Sequence, residues 1–229
     1  MQFIYLIALL LSHITVMRHI KNNIFKNRLD NIFKIKVLMA PLSIIFSFIL
    51  IQVLQLPLKE AGFTLGNTTA GLKSVFYIGL PLAIISSALV FTTPKEDLSE
   101  VKYGDQNDGW TFFYVWILVG PVEEILYRGF VQGTLSTLLE GKIFIFSYAT
   151  ILASIIFVLV HISNVYSNNE TWRSFLSMIP TRFIAALILG YSFQVSKSLL
   201  YPIIIHNLID GFNLSVLTYR KQKLKKKKE

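Results

Sequence analysis

The 229-residue chain has no cysteine, four histidines and thirteen acidic residues. The first absence removes disulfides, thiolate metal sites and a cysteine nucleophile from its chemistry. Charge of either sign is scarce: Asp, Glu, Lys and Arg make up 15% of the residues against 53% apolar ones, and the mean hydropathy is +0.56. That balance lies outside the soluble globular range and inside the membrane class. Negative charge is the scarcer sign, which leaves a formal charge of +9. The excess is concentrated, with six Lys or Arg in residues 18–36 and seven in 220–228. Basic clusters beside apolar runs are cytoplasmic anchors attracted to anionic lipid. No base-reading motif accompanies them, so the expected partner is the lipid bilayer and not nucleic acid.

The apolar runs predict an all-α fold, a polytopic transmembrane helical bundle of about seven spans. Residues 2–17 form a first span, retained because a basic n-region and a small-residue cleavage site are both missing. The basic segment 18–36 follows, then a second span over 37–58 and a third over 74–91 that contains Pro81. Residues 92–109 are an acidic linker with Glu96, Asp97, Glu100, Asp105 and Asp108. Residues 110–139 are too long for one straight span, and Gly120–Pro121 is expected to break or kink them. Further spans are expected over 143–162, 175–195 and 199–219. Six spans between the two basic segments put both on one side, with the N-terminus outside and the C-terminus cytoplasmic. The chain thus divides into N-terminal membrane helices (1–110), a core that carries the chemistry (111–219) and a basic cytoplasmic tail (220–229).

The core centres on residues 120–133, GPVEEILYRGFVQG, where two carboxylates and a guanidinium interrupt apolar sequence. Each such group costs about 2.5–3.5 kcal/mol at the centre of a spanning helix, so three of them need partners or a function. On a helix Glu124 and Arg128 are four apart and pair, acid before base. Glu123 is turned about 100° away and stays without that cation. His13 and His19, near the ends of the first helix, are expected to be interfacial and structural. His161 follows Phe157 by four residues, so the aromatic ring can fix the imidazole. His206, Asp210 and Asn213 share a face of the last span. Helices of a bundle bring such groups together in its core. A carboxylate without a cation, placed beside two imidazoles, is suited to holding and activating a water, and an imidazole or metal to stabilising an oxyanion. No helix carries H-E-x-x-H and no serine sits in a nucleophile elbow, which points to water-mediated hydrolysis without a covalent acyl-enzyme.

These residues resemble the CPBP family of intramembrane proteases, also called the CAAX protease and bacteriocin-processing family or Abi. Its first motif, two glutamates and an arginine four after the second, is matched by Glu123, Glu124 and Arg128. Its second, Phe and His four apart, is matched by Phe157 and His161, and its third, His and then Asn or Asp, by His206 and Asp210. The resemblance covers about the C-terminal half. It implies a helical catalytic core in which Glu123 activates water and Glu124 is tied to Arg128. His161 and His206 then orient the water or stabilise the oxyanion, and Asp210 completes the polar site. An aspartate lacks the hydrogen-bond donor of asparagine, so orienting His206 or a metal is its alternative role. If a divalent metal such as zinc is bound, the implied ligands are Glu123, His161 and His206. The implied activity is that of an intramembrane endopeptidase hydrolysing a peptide bond near the membrane. Its expected substrate is a small peptide or a membrane-protein terminus, in peptide processing or bacteriocin immunity, at a bacterial plasma membrane. The alternative is a non-catalytic immunity or scaffold protein that binds a toxin or partner helix in the same polar cavity. An ion or proton carrier would use Glu123 and Asp210, but the chain shows no internal repeat of the transporter kind.

Overall fold

The computed structural model describes residues 2–25, 31–95, 98, 109–167 and 170–226. The acidic linker residues Glu96, Asp97, Glu100, Asp105 and Asp108 lie outside them, as do residues 26–30 and 227–229 of the basic segments. Among the described residues, seven helices are long and apolar enough to cross a membrane. These are α1 (Gln2–Phe25), α2 (Ile32–Val53), α3 (Thr68–Thr92), α4 (Gly109–Leu138), α5 (Tyr148–Tyr166), α6 (Trp172–Ser196) and α7 (Leu200–Lys225). Large apolar side chains such as Ile4, Tyr77, Ile85 and Leu159 point outward, as the bilayer requires of the outside of a bundle.

Capping, more than hydropathy, sets where several helices begin. Asn31, Asn67, Ser147 and Thr171 each accept a backbone N–H of the following turn, the usual work of an N-cap side chain. Accordingly α2, α3 and α6 start three to six residues before the apolar runs at 37, 74 and 175. Residues 143–147 correct the expected fifth span. Lys142–Ile143 (β1) and Phe146–Ser147 (β2) pair as an antiparallel hairpin, and α5 starts only after Ser147. Phe144 turns the hairpin at φ 54°, and Gln194 holds it by accepting from Ser147 N–H and donating to the Ile145 carbonyl.

α4 is one continuous helix of 30 residues and is not broken at Gly120–Pro121. It winds as π-helix over Tyr114–Leu118 and Ile125–Gln132, on either side of the α-helical turn Val119–Glu124. A straight α-helix of that length would measure about 45 Å, well beyond a hydrocarbon core of about 30 Å. Wider turns absorb part of the excess. α3 repeats the arrangement, with the π turn Val75–Gly79 just before Pro81. In both helices the carbonyl four residues before the proline, which has lost its N–H partner, falls within the widened turn.

The largest apolar core joins α1, α2, α4, α5 and α6 through residues such as Leu10, Ile51, Phe130, Ala153 and Phe193. A second joins α3, α6 and α7 around Ala83, Leu189, Tyr201 and Ile205. Side-chain hydrogen bonds tie the helices across these contacts, as expected where lipid supplies no hydrophobic drive for association. Ser74 meets Ser192 at 2.7 Å, and Gln132 donates to Thr150 Oγ1 and to the Gly190 carbonyl, both at 2.9 Å. His13 is buried between α1 and α2, stacked on Phe46 and 3.3 Å from the Ser43 and Ser47 hydroxyls. It is therefore a core histidine and not an interfacial one. His19 has the exposed helix-end position expected of it and lies against Asn23.

Candidate active site

The turn Val119–Glu124 aims the two glutamates in different directions. Glu124 is completely buried and Arg128 Nε donates to its Oε2 at 3.0 Å. The other oxygen, Oε1, accepts from His206 Nδ1 at 2.7 Å. A carboxylate is acceptor-only, so this bond places the Nδ1 proton on His206 and leaves Nε2 facing away from Glu124. Nε2 lies 3.9 Å from Glu123 Oε2 and 3.5 Å from Asp210 Oδ2. The side chains of Glu123 and Asp210 are 28% and 40% exposed, so the His206 edge they share is the open side of the site.

Phe157 is the hub on which the remaining groups rest. Its ring lies edge-on to Tyr127 at 4.9 Å and 4.7 Å from the ring of His161. It also approaches His206 at 6.5 Å, and the Arg128 guanidinium sits 5.3 Å from its centroid. Arg128 Nη1 and Nη2 have no hydrogen-bond partner among the described residues. The ring face supplies the electrostatic partner instead, in a desolvated setting where a cation–π contact is worth about 2 kcal/mol. Phe157 thus contacts the ion pair as well as His161, which is more than its spacing to His161 suggests.

His161 stands where α5 changes from the segment Tyr148–Val160 to the short turn Ile162–Tyr166. Because the helix continues past Ser163, His161 is not at the end of its span. Its Nδ1 donates to the Phe157 carbonyl at 2.8 Å. In the neutral ring Nε2 is then a bare acceptor, suited to a water O–H, and becomes a donor to an oxyanion only as imidazolium. No hydrogen bond or ion pair joins His161 to Glu123 or His206 among the described residues. The bundle therefore brings Glu123, Glu124, Arg128, His206 and Asp210 into one connected cluster and joins His161 to it through Phe157.

A zinc or other divalent metal held by Glu123, His161 and His206 does not fit this arrangement. Among the described residues no group of three or more His, Cys, Asp or Glu side chains is arranged so that it could hold a metal ion.

Four residues at or beside the site carried no motif. Asn207 accepts from the Gly120 N–H at 2.8 Å and donates to the Ile117 carbonyl at 3.3 Å. The only hint in the sequence is its place beside His206. Lys36 belongs to α2 and not to a basic loop. Its ammonium lies over the rings of Phe33 and Tyr114, within Coulombic reach of Glu123 and Asp210. Tyr114 feels the same two carboxylates. Asn213, which shares a face with His206, accepts from Ser86 of α3 at 2.9 Å and ties two helices.

Residues 105–212 match the family model described as type II CAAX prenyl endopeptidase Rce1-like. A membrane-embedded CAAX protease, MroQ of Staphylococcus aureus strain USA300, is 31% identical over 120 residues, which are 52% of this chain and 44% of that protein. The matched stretch thus spans less than half the length of this curated relative. No solved structure matches the chain. All seven residues of the three motifs fall within the matched 105–212.

Proposed function

Because the chain belongs to the CPBP/CAAX protease family, we propose that it is an intramembrane endopeptidase in which Glu123 activates the attacking water. The observation that carries this reading is the division of labour between adjacent glutamates. Glu124 is consumed by Arg128 and His206, whereas Glu123 makes no hydrogen bond among the described residues, is partly exposed and lies beside His206 Nε2. Glu123 accepts a proton from water as the oxygen attacks the scissile carbonyl, and passes that proton to the leaving nitrogen when the C–N bond breaks. The products are a carboxylate and an amine. His206 Nε2, its ring fixed by the Glu124 bond, orients the water. The oxyanion is stabilised by whichever of His161 and His206 is doubly protonated at that moment. Asp210 completes the open rim.

The substrate class proposed is a small peptide or a membrane-protein terminus with apolar residues beside the cut bond. Supporting it is an apolar recess of about 470 Å³ between α2 and α4, lined by Val37, Ala40, Pro41, Ile44, Phe113 and Leu118. It adjoins Lys36 and Tyr114 in sequence, the pair that feels Glu123 and Asp210. The relative MroQ is named a CAAX protease, which is the activity carried over here as a proposal.

The test is turnover of a fluorogenic library of apolar peptides by purified protein in nanodiscs. Wild type should cleave and Glu123→Gln should lose at least about 100-fold in kcat, the lower end of what general-base catalysis contributes. Undiminished turnover by Glu123→Gln would overturn the mechanism. Protection of cells from a toxin that survives Glu123→Ala and His206→Ala would instead favour a binding protein.

A further inference from the structure

His206 and Asn207 are consecutive on α7 and both grip α4, at different levels and by different means. His206 takes the Glu124 carboxylate. Asn207 takes the main chain just upstream, accepting from Gly120 N–H at 2.8 Å with Oδ1 and donating to the Ile117 carbonyl at 3.3 Å with Nδ2. Neither bond is incidental to the local chemistry. Pro121 has no N–H, so the carbonyl four residues before it, Ile117, has lost its regular α-helical donor. The carboxamide of Asn207 supplies that donor. Its other end takes the adjacent Gly120 N–H, and the two bonds together fix which way the amide points.

The approach is close enough to demand glycine. A Cβ on residue 120 would lie 2.5 Å from Asn207 Oδ1 and 2.8 Å from the Ile203 carbonyl oxygen. Gly120 is three residues before Glu123, and Asn207 is three before Asp210, so the clasp joins the two backbones that carry the open rim of the site.

We propose that Asn207 is a positioning residue: by clasping the proline-interrupted turn of α4 it sets the separation of Glu123 from His206 Nε2. The role rests on the hydrolytic reading of that site. Asn207 need touch neither water nor substrate. A displacement of about 1 Å at a reacting geometry can cost on the order of 100-fold, and the 3.9 Å gap between Glu123 and His206 is the distance the clasp controls.

Two variants and two readouts test this. Asn207→Leu removes both bonds, whereas Asn207→Asp keeps an acceptor for Gly120 N–H but sets a carboxylate oxygen against the Ile117 carbonyl. The first readout is kcat and KM per folded molecule in nanodiscs. Both variants should lose about 10- to 100-fold in kcat with KM within about twofold. The second uses the absence of native cysteine: spin labels on cysteines at the lipid-facing positions Ile117 and Ile204, which are 53% and 36% exposed, report the α4–α7 separation. Asn207→Leu should lengthen or broaden that distance distribution. Wild-type kcat in folded Asn207→Leu, or a loss confined to yield and melting temperature, would overturn the proposal, as would an unchanged distance distribution. Because the distance measurement needs no turnover, failure of the clasp is distinguishable from failure of the peptidase reading, which Glu123→Gln judges.

Discussion

Glu123 and Glu124 are chemically identical neighbours with opposite circumstances, and the difference comes from one helical step. Glu124 is the inner member of a chain running from Arg128 through its carboxylate to His206. Removing it would strand a completely buried guanidinium, whose terminal nitrogens already rest on the Phe157 ring, and would free the ring of His206. Loss of one partner of a buried pair costs about 3–5 kcal/mol. Glu124→Ala is therefore expected to lower stability by roughly that amount and to lose activity as well, while Glu123→Gln keeps a wild-type melting temperature. Thermal unfolding of the purified proteins in one detergent checks both, and equal melting temperatures for wild type and Glu124→Ala would refute the division of roles. The Glu124–Arg128 pair was readable from the sequence because four-residue spacing on a helix is a local property. The His206–Glu124 bond was not, since it joins residues 82 positions apart. Asp210, whose alternative role is to orient His206 or a metal, faces Nε2 at 3.5 Å, while Glu124 holds Nδ1 at 2.7 Å.

α4 reaches its geometry by winding as π-helix on both sides of the α-helical turn that carries Gly120 and Pro121. Hydropathy detected every span, because apolar length is what a bilayer demands. It did not reveal the π turns, which depend on how a helix adapts around Pro121 and against its neighbours. Nor did it reveal the hairpin at Lys142–Ile143 and Phe146–Ser147, whose apolar residues look like the start of a helix. Phe144, at φ 54° and 88% exposed, turns the chain in a conformation that local sequence disfavours for a bulky side chain. Asn207 escaped notice because nothing in its own helix needs it. What it satisfies is an orphan carbonyl on α4. Gly120 is the complementary small residue at that crossing, and Gly120→Ala tests the element as a whole. The added methyl meets an amide oxygen and a backbone carbonyl, and the backbone cannot yield as a flexible side-chain end would. Overpacking of this kind costs about 1–3 kcal/mol. The variant should lose that much stability and, through displacement of α7, about 100-fold in turnover. Unfolding and turnover measured on the same preparation would show both effects, and a variant as active and as stable as wild type would refute the close crossing.

The whole molecule has two chemically distinct ends. At one, the loops between α2 and α3, α4 and α5, and α6 and α7 are laced together: Asn67 N–H donates to the Ser196 carbonyl at 2.7 Å, and Leu199 N–H to the Gly62 carbonyl at 3.0 Å. Gln194 there holds the hairpin that presents Phe144. At the other end lie Arg18 and Lys21 in the last turns of α1 and Lys223 and Lys225 at the end of α7. Six helices, α2 to α7, separate those two basic segments, so they share a side whatever the orientation. Lys and Arg near span ends are retained in the cytoplasm, which predicts that the basic end is inside and the laced end, with Phe144, is outside. A chain without cysteine makes the test free of background. In intact spheroplasts, Phe144→Cys should react with a membrane-impermeant maleimide, and Lys226→Cys should react only after permeabilisation. Reversed labelling would overturn the orientation. Labelling of both positions from the same side would break the parity of the six helices, and with it the placement of α4, whose central turn carries Glu123 to a depth between the two ends.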